Sequence, residues 1–316
     1  MTTPLAPSSH ALESATTTYW YDGRIVDQRE IVIDPFAHAL HYGSGVFEGI
    51  RSYETARGPG IFRLREHIER LFASAAEYGL ELKAPVDAIC KATVDAVRAS
   101  GHAETYIRPL VFFGEGKFAL APRFQKNAVH VMIAVRGFSG TIAPGGETGC
   151  RVTISPIMKT PSKALPSTAK GSGHYTNSIR ALHEAMDRGF EEAILLNDRG
   201  NIAEGSGENI FLVKRGKLHT NPTSEDVLDG ITRRSTISLA EDAGIPVEIS
   251  PITRQQLLDA DEVFLTGTAA ELVAVASVDE HGYSKDRPIT RTLHAAYRRA
   301  TKGEDARHPD WVTLVR

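Results

Sequence analysis

A chain of 316 residues, 41% hydrophobic and 24% charged, has the ordinary composition of a globular protein and is long enough for roughly two domains with sizeable cores. That excludes wholesale disorder and a fibrous fold. A net charge of −3 gives no broad basic surface for nucleic acid or anionic lipid, so the expected partner is a small molecule. Cys90 and Cys150 are too few for a disulfide framework and lack metal-ligand spacing, so no metal is expected. No apolar run approaches the roughly 20 residues that span a bilayer. Residues 1–18, rich in Ser, Thr and Ala without a basic start and apolar core, read as a flexible tail rather than a signal peptide, and a cytoplasmic enzyme is expected.

Tyr19 to Ile33 alternates around Asp22-Gly23, a dipeptide suited to a tight turn, and predicts a β-hairpin. Val46 to Tyr53 is strand-like but loosened by glycine, and Gly58-Pro59-Gly60 predicts a turn back to Ile61-Phe62-Arg63. Leu64, Ile68, Leu71, Phe72, Ala75 and Tyr78 recur at helical spacing up to Gly79, with Arg65 and Arg70 off the apolar stripe. A second helix is expected over Val86–Ser100, and strands over Thr105–Phe113 and Ala128–Arg136. Strand runs and two helices in this order predict an α+β domain over 19–136. The Gly/Pro-rich stretch 137–149 reads as a linker to a larger domain over 150–316.

In that second part, Arg151–Ile157 reads as a strand and leads into Pro166–Tyr175, PSTAKGSGHY. A Gly-Ser-Gly run beside a lysine is more often a surface loop than a site, and Lys163 is a rival to Lys170. A helix follows Tyr175 as far as Gly189. Short strands at Ala193–Leu196 and Ile210–Val213 flank a loop holding Glu204, Gly205, Ser206, Gly207 and Glu208. Two carboxylates beside two glycines read as a solvated turn by default. Gly230-Ile231-Thr232-Arg233 opens a helix whose free amides could bind phosphate, and a second small-residue turn, Thr266 to Ala270, follows the strand Glu262–Leu265.

Taken in order, HALHYGSGVFEGIR, FRLREHIERL, YIRPL, STAKGSGHY, EGSGEN, DGITRR and DEVFLTGTAAE resemble the branched-chain aminotransferase family, within the fold type IV class of pyridoxal-phosphate enzymes. The resemblance spans residues 38–271. It implies an α+β / α/β architecture of two domains, with pyridoxal 5'-phosphate at their interface. Lys170 would then be the covalent anchor, as an internal aldimine, and the proton carrier of the reaction. Glu204 would face the pyridine nitrogen, where a carboxylate stabilises the protonated ring. Tyr175 would bond the phenolic oxygen, and Arg70, Ile231, Thr232 and Thr268 the phosphate.

For substrate, the resemblance implies Tyr106 and Arg108, with Phe47, Arg51, Tyr42, Thr268 and Ala269 as further candidates. An arginine can bind the distal carboxylate of 2-oxoglutarate while apolar walls accept a leucine-like side chain. Tyr42 would act across a dimer interface, so a homodimer or higher homo-oligomer is expected. The implied reaction moves the amino group of L-leucine, L-isoleucine or L-valine to 2-oxoglutarate. The 114–122 loop, GEGKFALAP, departs from the family's small-residue loop, and a bulky tryptophan is absent near Arg136-Gly137-Phe138. Transamination of D-amino acids or (R)-amines, and lyase action on aminodeoxychorismate, therefore stand as alternatives.

Overall fold

The computed structural model describes residues 17–140 and 148–316. Apart from its last two residues the expected 1–18 tail lies outside the described residues, as does the middle of the expected 137–149 linker. The hairpin forms between β1 (Thr18–Tyr21) and β2 (Arg24–Val26), with Asp22 and Gly23 at φ of 44° and 110°. It stops short of Ile33. Asp27 instead caps a single 3-10 turn: its carboxylate accepts from the Arg29 amide, and Glu30 returns the bond to the Asp27 amide.

After the short α1 (His38–Tyr42) come β3 (Gly45–Phe47), β4 (Ile50–Thr55) and β5 (Gly58–Phe62). Gly58-Pro59-Gly60 is therefore strand, not the expected turn. The cause lies at the far end of the chain. A Cβ at Gly60 would overlap Val312 Cγ1 and stand 2.9 Å from Thr55 Cγ2, so glycine there lets the C-terminal segment lie against this strand. α2 (Leu64–Glu77) and α3 (Val86–Ser100) follow, with left-handed Gly79 and Gly101 beyond them at φ of 66° and 70°. β6 (Thr105–Phe113) and β7 (Val129–Gly137) then pair along their full length.

The second part holds β8 (Cys150–Ile154), α4 (Tyr175–Asp187), β9 (Glu192–Leu196), β10 (Ile202–Gly205), β11 (Asn209–Lys214) and β12 (Lys217–Thr220). It continues through α5 (Ile231–Asp242), β13 (Val247–Ile249), α6 (Arg254–Leu258), β14 (Glu262–Gly267), β15 (Glu271–Val278), β16 (His281–Gly282), α7 (Pro288–Thr301) and β17 (Val312–Leu314).

Two sheets result. The first is antiparallel, in the order β17-β5-β4-β6-β7-β1-β2, with β3 also on β6. The second runs β10-β9-β8-β15-β14-β11-β12-β13, with β16 on β15, and is mixed: β8 lies parallel to β9 and β15, and β12 to β13. Helices α2 and α3 bury Ile68, Leu71, Ile89 and Val97 against Ile107 and Val135 of the first sheet. Phe211 and Phe264 stack at 5.0 Å in the second sheet's core, under α5 and α7. Tyr53 and Phe62 of the first sheet join that second cluster beside Trp311, and β17 pairs with β5. The C-terminal segment thus belongs to both halves, which share apolar surface instead of meeting only through a linker.

Candidate active site

The stretch after β8 crosses the seam between the sheets, and the first half holds it by its backbone. The Lys170 amide donates to Ser74 Oγ of α2 (2.9 Å), its carbonyl accepts from the Phe47 amide (3.1 Å), and Gly171 bridges to Val46. Gly171 has no room for a side chain, because a Cβ would collide with the Tyr78 hydroxyl. Lys170 Nζ then meets Tyr175 Oη at 2.6 Å, at the first residue of α4. The rival Lys163 is exposed and forms no ion pair among the described residues.

Lys170 and Tyr175 line a narrow cleft with Glu204, Asn209 and Leu228. The register of β10 on β9 shifts between Ile202 and Gly205, and Glu204 in that interval is buried. Its Oε2 accepts from Asn209 Nδ2 (3.2 Å) and the Leu228 amide (3.1 Å), while Oε1 accepts from Lys159 Nζ at 2.6 Å. Burial works against the Lys159 charge, but Glu204 outweighs it and raises the amine's pKa. On the next turn, enclosure and the neighbouring Glu192 hold Glu208 protonated well above the usual carboxylate range. The solvated-turn default for this loop is thereby corrected: both carboxylates face inward.

Arg70 leaves α2 toward the start of α5. Its Nε and Nη2 donate to Glu48 (2.6 and 2.9 Å), and its Nη1 to the Asp229 carbonyl (2.7 Å). Glu48 is fully buried and also bonds His67 Nδ1 at 2.8 Å. Burial opposes its charge, yet Arg70 and His67 hold the carboxyl well below its usual range. Directly after Asp229, α5 begins at Gly230 with no side-chain cap and no acid in its first turn, although Ile231 and Thr232 are buried. Buried, uncapped amides beside a guanidinium with donors to spare are a donor set that suits an anion. Thr266 Oγ1, at the end of β14 before the Thr268-Ala269 turn, is a further buried polar atom without a hydrogen-bond partner among the described residues. That turn abuts the cleft, since a Cβ at Gly267 would lie 3.3 Å from Glu208 Cγ.

On the first sheet's side, the Phe47 ring stands 4.9 Å from Tyr175, Arg108 lies 4.6 Å over Phe47, and Arg108 Nη2 donates to Tyr106 Oη at 2.7 Å. Gly49 is glycine because a side chain would run into that Tyr106 hydroxyl. Tyr42 sits apart, 41% exposed, in an aromatic cluster with His38, His41 and Phe118. Arg51 corrects the sequence expectation. It is buried with Nη1 on Glu271 Oε1 (2.9 Å), between the rings of Tyr53 and Phe138, and it lines a different cavity. A guanidinium already neutralised in that way is not free for a substrate carboxylate beside Lys170. Glu271 itself adopts φ 57°, a left-handed conformation that its pairing with Arg51 helps to hold.

Sequence reasoning missed Lys159, Glu48, His67 and Ser74. Glu48 carried a signal, a carboxylate inside an otherwise apolar strand run. Lys159 carried none, because only the fold brings it under Glu204.

A lysine amine fixed at a two-sheet seam, between a buried carboxylate and an uncapped helix start, is the set of groups that covalent group transfer to a ligand with an anionic tail requires. Residues 45–278 match the model of the family described as amino-transferase class IV, and the chain belongs to that family. It is 39% identical over 300 residues to a branched-chain-amino-acid aminotransferase of Pseudomonas aeruginosa, covering 94% of this chain and 97% of the relative. The Escherichia coli K12 enzyme of the same description is 36% identical over 298 residues, covering 94% and 96%. Among solved structures, the branched-chain amino acid aminotransferase from Thermobaculum terrenum in its PLP-bound holo-form superposes with a TM-score of 0.87 at 33% identity, over 95% of this chain and 98% of that one. The fold is accordingly fold type IV.

Proposed function

We propose that this enzyme is a pyridoxal-phosphate-dependent aminotransferase that moves the amino group of L-leucine, L-isoleucine or L-valine to 2-oxoglutarate. The observation that carries it is the Lys170 amine, 2.6 Å from Tyr175 and anchored by its backbone to the first half of the chain. Relatives of that description at up to 39% identity over almost the whole chain support the branched-chain donor above D-amino acid, (R)-amine or lyase readings.

The residues present fit the cofactor. Arg70, the amides of Ile231 and Thr232, and Thr268 would hold its phosphate; Glu204 would face its ring nitrogen, and Tyr175 its phenolic oxygen. When bound, it supplies a reactive carbonyl carbon and a ring that accepts electrons. Lys170 would be the covalent anchor and, when free, the base that takes the proton from the substrate α-carbon and gives it back. Glu204 keeps its negative charge aimed at one point because Asn209 and the Leu228 amide fix its other oxygen. Phe47 and Tyr175 would exclude water from an apolar side chain, while Arg108, steadied by Tyr106, would take a distal carboxylate. Ala269, in the turn with Thr268, would add a backbone amide for the α-carboxylate.

A homodimer or higher homo-oligomer is part of the same reading: Phe36, Leu40, Tyr42, Phe118, Leu120 and Phe124 are exposed on the first half, and clustered exposed apolar side chains mark contact surfaces. Tyr42 would reach the partner's pocket from there. We also place the domain division within 137–149, with β17 returning to the first sheet, and assign the enzyme to the cytoplasm; no described helix is long and apolar enough to cross a membrane. A donor panel with both enantiomers of each amino acid, read by the visible absorbance of the bound cofactor, tests the function. The three L-donors should convert it; silence with all three while a D-amino acid or (R)-amine reacts would overturn the proposal.

A further inference from the structure

Immediately after the Thr268-Ala269 turn, residues 270–274 form one wall of a second cavity of about 680 Å³, with α7 forming another. Its lining carries six arginine and lysine side chains against two glutamates. One of those glutamates, Glu271, is already engaged by Arg51 at 2.9 Å and lies 3.8 Å from His294. At depth stand Arg51 and Arg287, 2% and 6% exposed, and the Nε of each has no hydrogen-bond partner among the described residues. Among the described residues Arg287 Nη1 reaches the Thr148 carbonyl, at 3.3 Å. The nearby carboxylate of Glu262 is occupied by the Ile289 and Thr290 amides and the Thr290 hydroxyl. At the rim, Lys285, Arg298 and Lys302 are exposed and form no ion pairs among the described residues.

Burying a guanidinium without completing its hydrogen bonds is unfavourable, and desolvation depresses the Arg287 pKa accordingly. An arginine fork accepts a carboxylate in two parallel bonds, which a backbone carbonyl cannot match. The volume is that of a small-molecule site rather than a single-ion site. From this juxtaposition of the buried, incompletely bonded Arg287 and a cationic rim on one cavity, we propose that the cavity is a binding site for a compact di- or tricarboxylate, separate from the site at Lys170. Arg287 takes one of its carboxylates, and Lys285, Arg298 and Lys302 draw it in.

The test is calorimetric titration of citrate into the full chain loaded with pyridoxal phosphate, at fixed ionic strength, with inorganic phosphate as a second probe. Three proteins are compared: the unaltered chain, the rim double variant Lys285→Ala/Arg298→Ala, and Arg108→Met at the other site. Citrate should bind saturably at one site, at least tenfold more tightly than phosphate. The double variant should weaken it tenfold or more, and Arg108→Met should change it by less than twofold. Because both rim residues are exposed, circular dichroism should show the double variant folded. Absence of saturable citrate binding, an unaffected double variant, phosphate binding as tightly as citrate, or loss in Arg108→Met instead would each overturn the assignment.

Discussion

Replacing Glu48 by glutamine isolates the charge that orients Arg70. The side chain is fully buried, accepts two bonds from Arg70 at 2.6 and 2.9 Å, and meets His67 at 2.8 Å. Glutamine keeps the shape and one acceptor but leaves the guanidinium of Arg70, which is itself largely buried, without a counter-charge. Removing one partner of a buried pair costs about 3–5 kcal/mol. With the retained acceptor, the loss should fall near the lower end, ~3 kcal/mol, or roughly 100-fold in the folding equilibrium. Arg70 Nη1 also bonds the Asp229 carbonyl at the head of α5, so a displaced guanidinium should weaken cofactor affinity by tenfold or more. Urea unfolding of the cofactor-free protein at pH 7, with equilibrium dialysis of pyridoxal phosphate, measures both. The pH dependence has a definite sign. A carboxyl whose folded pKa is depressed contributes stability that is present above its ordinary value of 4.5 and is lost as pH falls toward the folded pKa. The gap between parent and variant should therefore be flat from neutral pH down to about that value and then shrink. A variant within ~1 kcal/mol of the parent at pH 7, or a gap that widens in acid, would refute the reasoning.

Three further outcomes are expected. Lys170→Ala should lose the visible absorbance of bound cofactor and all transamination, whereas Lys163→Ala, altering an exposed side chain, should keep both; absorbance spectra and a coupled assay check this. Glu208→Gln should remove a stability loss that sets in as pH rises above 4.5, because a carboxyl with a raised folded pKa favours the folded state most below its unfolded value; urea midpoints at pH 5 and pH 8 should converge relative to the parent. Gly60→Ala should destabilise by about 1–3 kcal/mol, mainly through overlap with Val312, and removing residues 312–316 in the same chain should reduce that increment to what the Thr55 contact leaves, read in denaturant titrations.

How far the sequence could be read depended on the range of the forces involved. α3 and β6 fall where periodicity and a left-handed glycine place them, because their boundaries are set within a turn or two of the chain. The hairpin was overextended since Asp27, a local cap, competes with alternation, and Gly58–Gly60 was misread since Gly60 answers to Val312, far along the chain. At the candidate site, Lys170, Tyr175 and Glu204 were legible as segments, and the structure gathers them on one cleft. Arg51 was not, because the face and partner of a strand arginine depend on Glu271, which only the β14-β15 turn brings within 2.9 Å. Lys159 was invisible for a similar reason, as its ion pair joins the loop after β8 to Glu204 of β10.

The two kinds of contact around Lys170 divide the work of holding it. Its backbone is fixed from the first half, by Ser74 and Phe47, while its amine is directed from the second, by Tyr175. Arg70 repeats the pattern in reverse, rooted in α2 but bonded to the Asp229 carbonyl at the head of α5. A ligand gripping both the amine and that helix start would therefore bridge the halves, so its binding free energy adds to their association. The apolar cluster of Tyr53, Phe62 and Trp311 supplies a ligand-independent join, and this explains why buried polar groups can be left at the seam without the halves separating. Thr266 Oγ1, which has no hydrogen-bond partner among the described residues, stands at the end of β14 beside the Thr268-Ala269 turn, where a bound group could complete it.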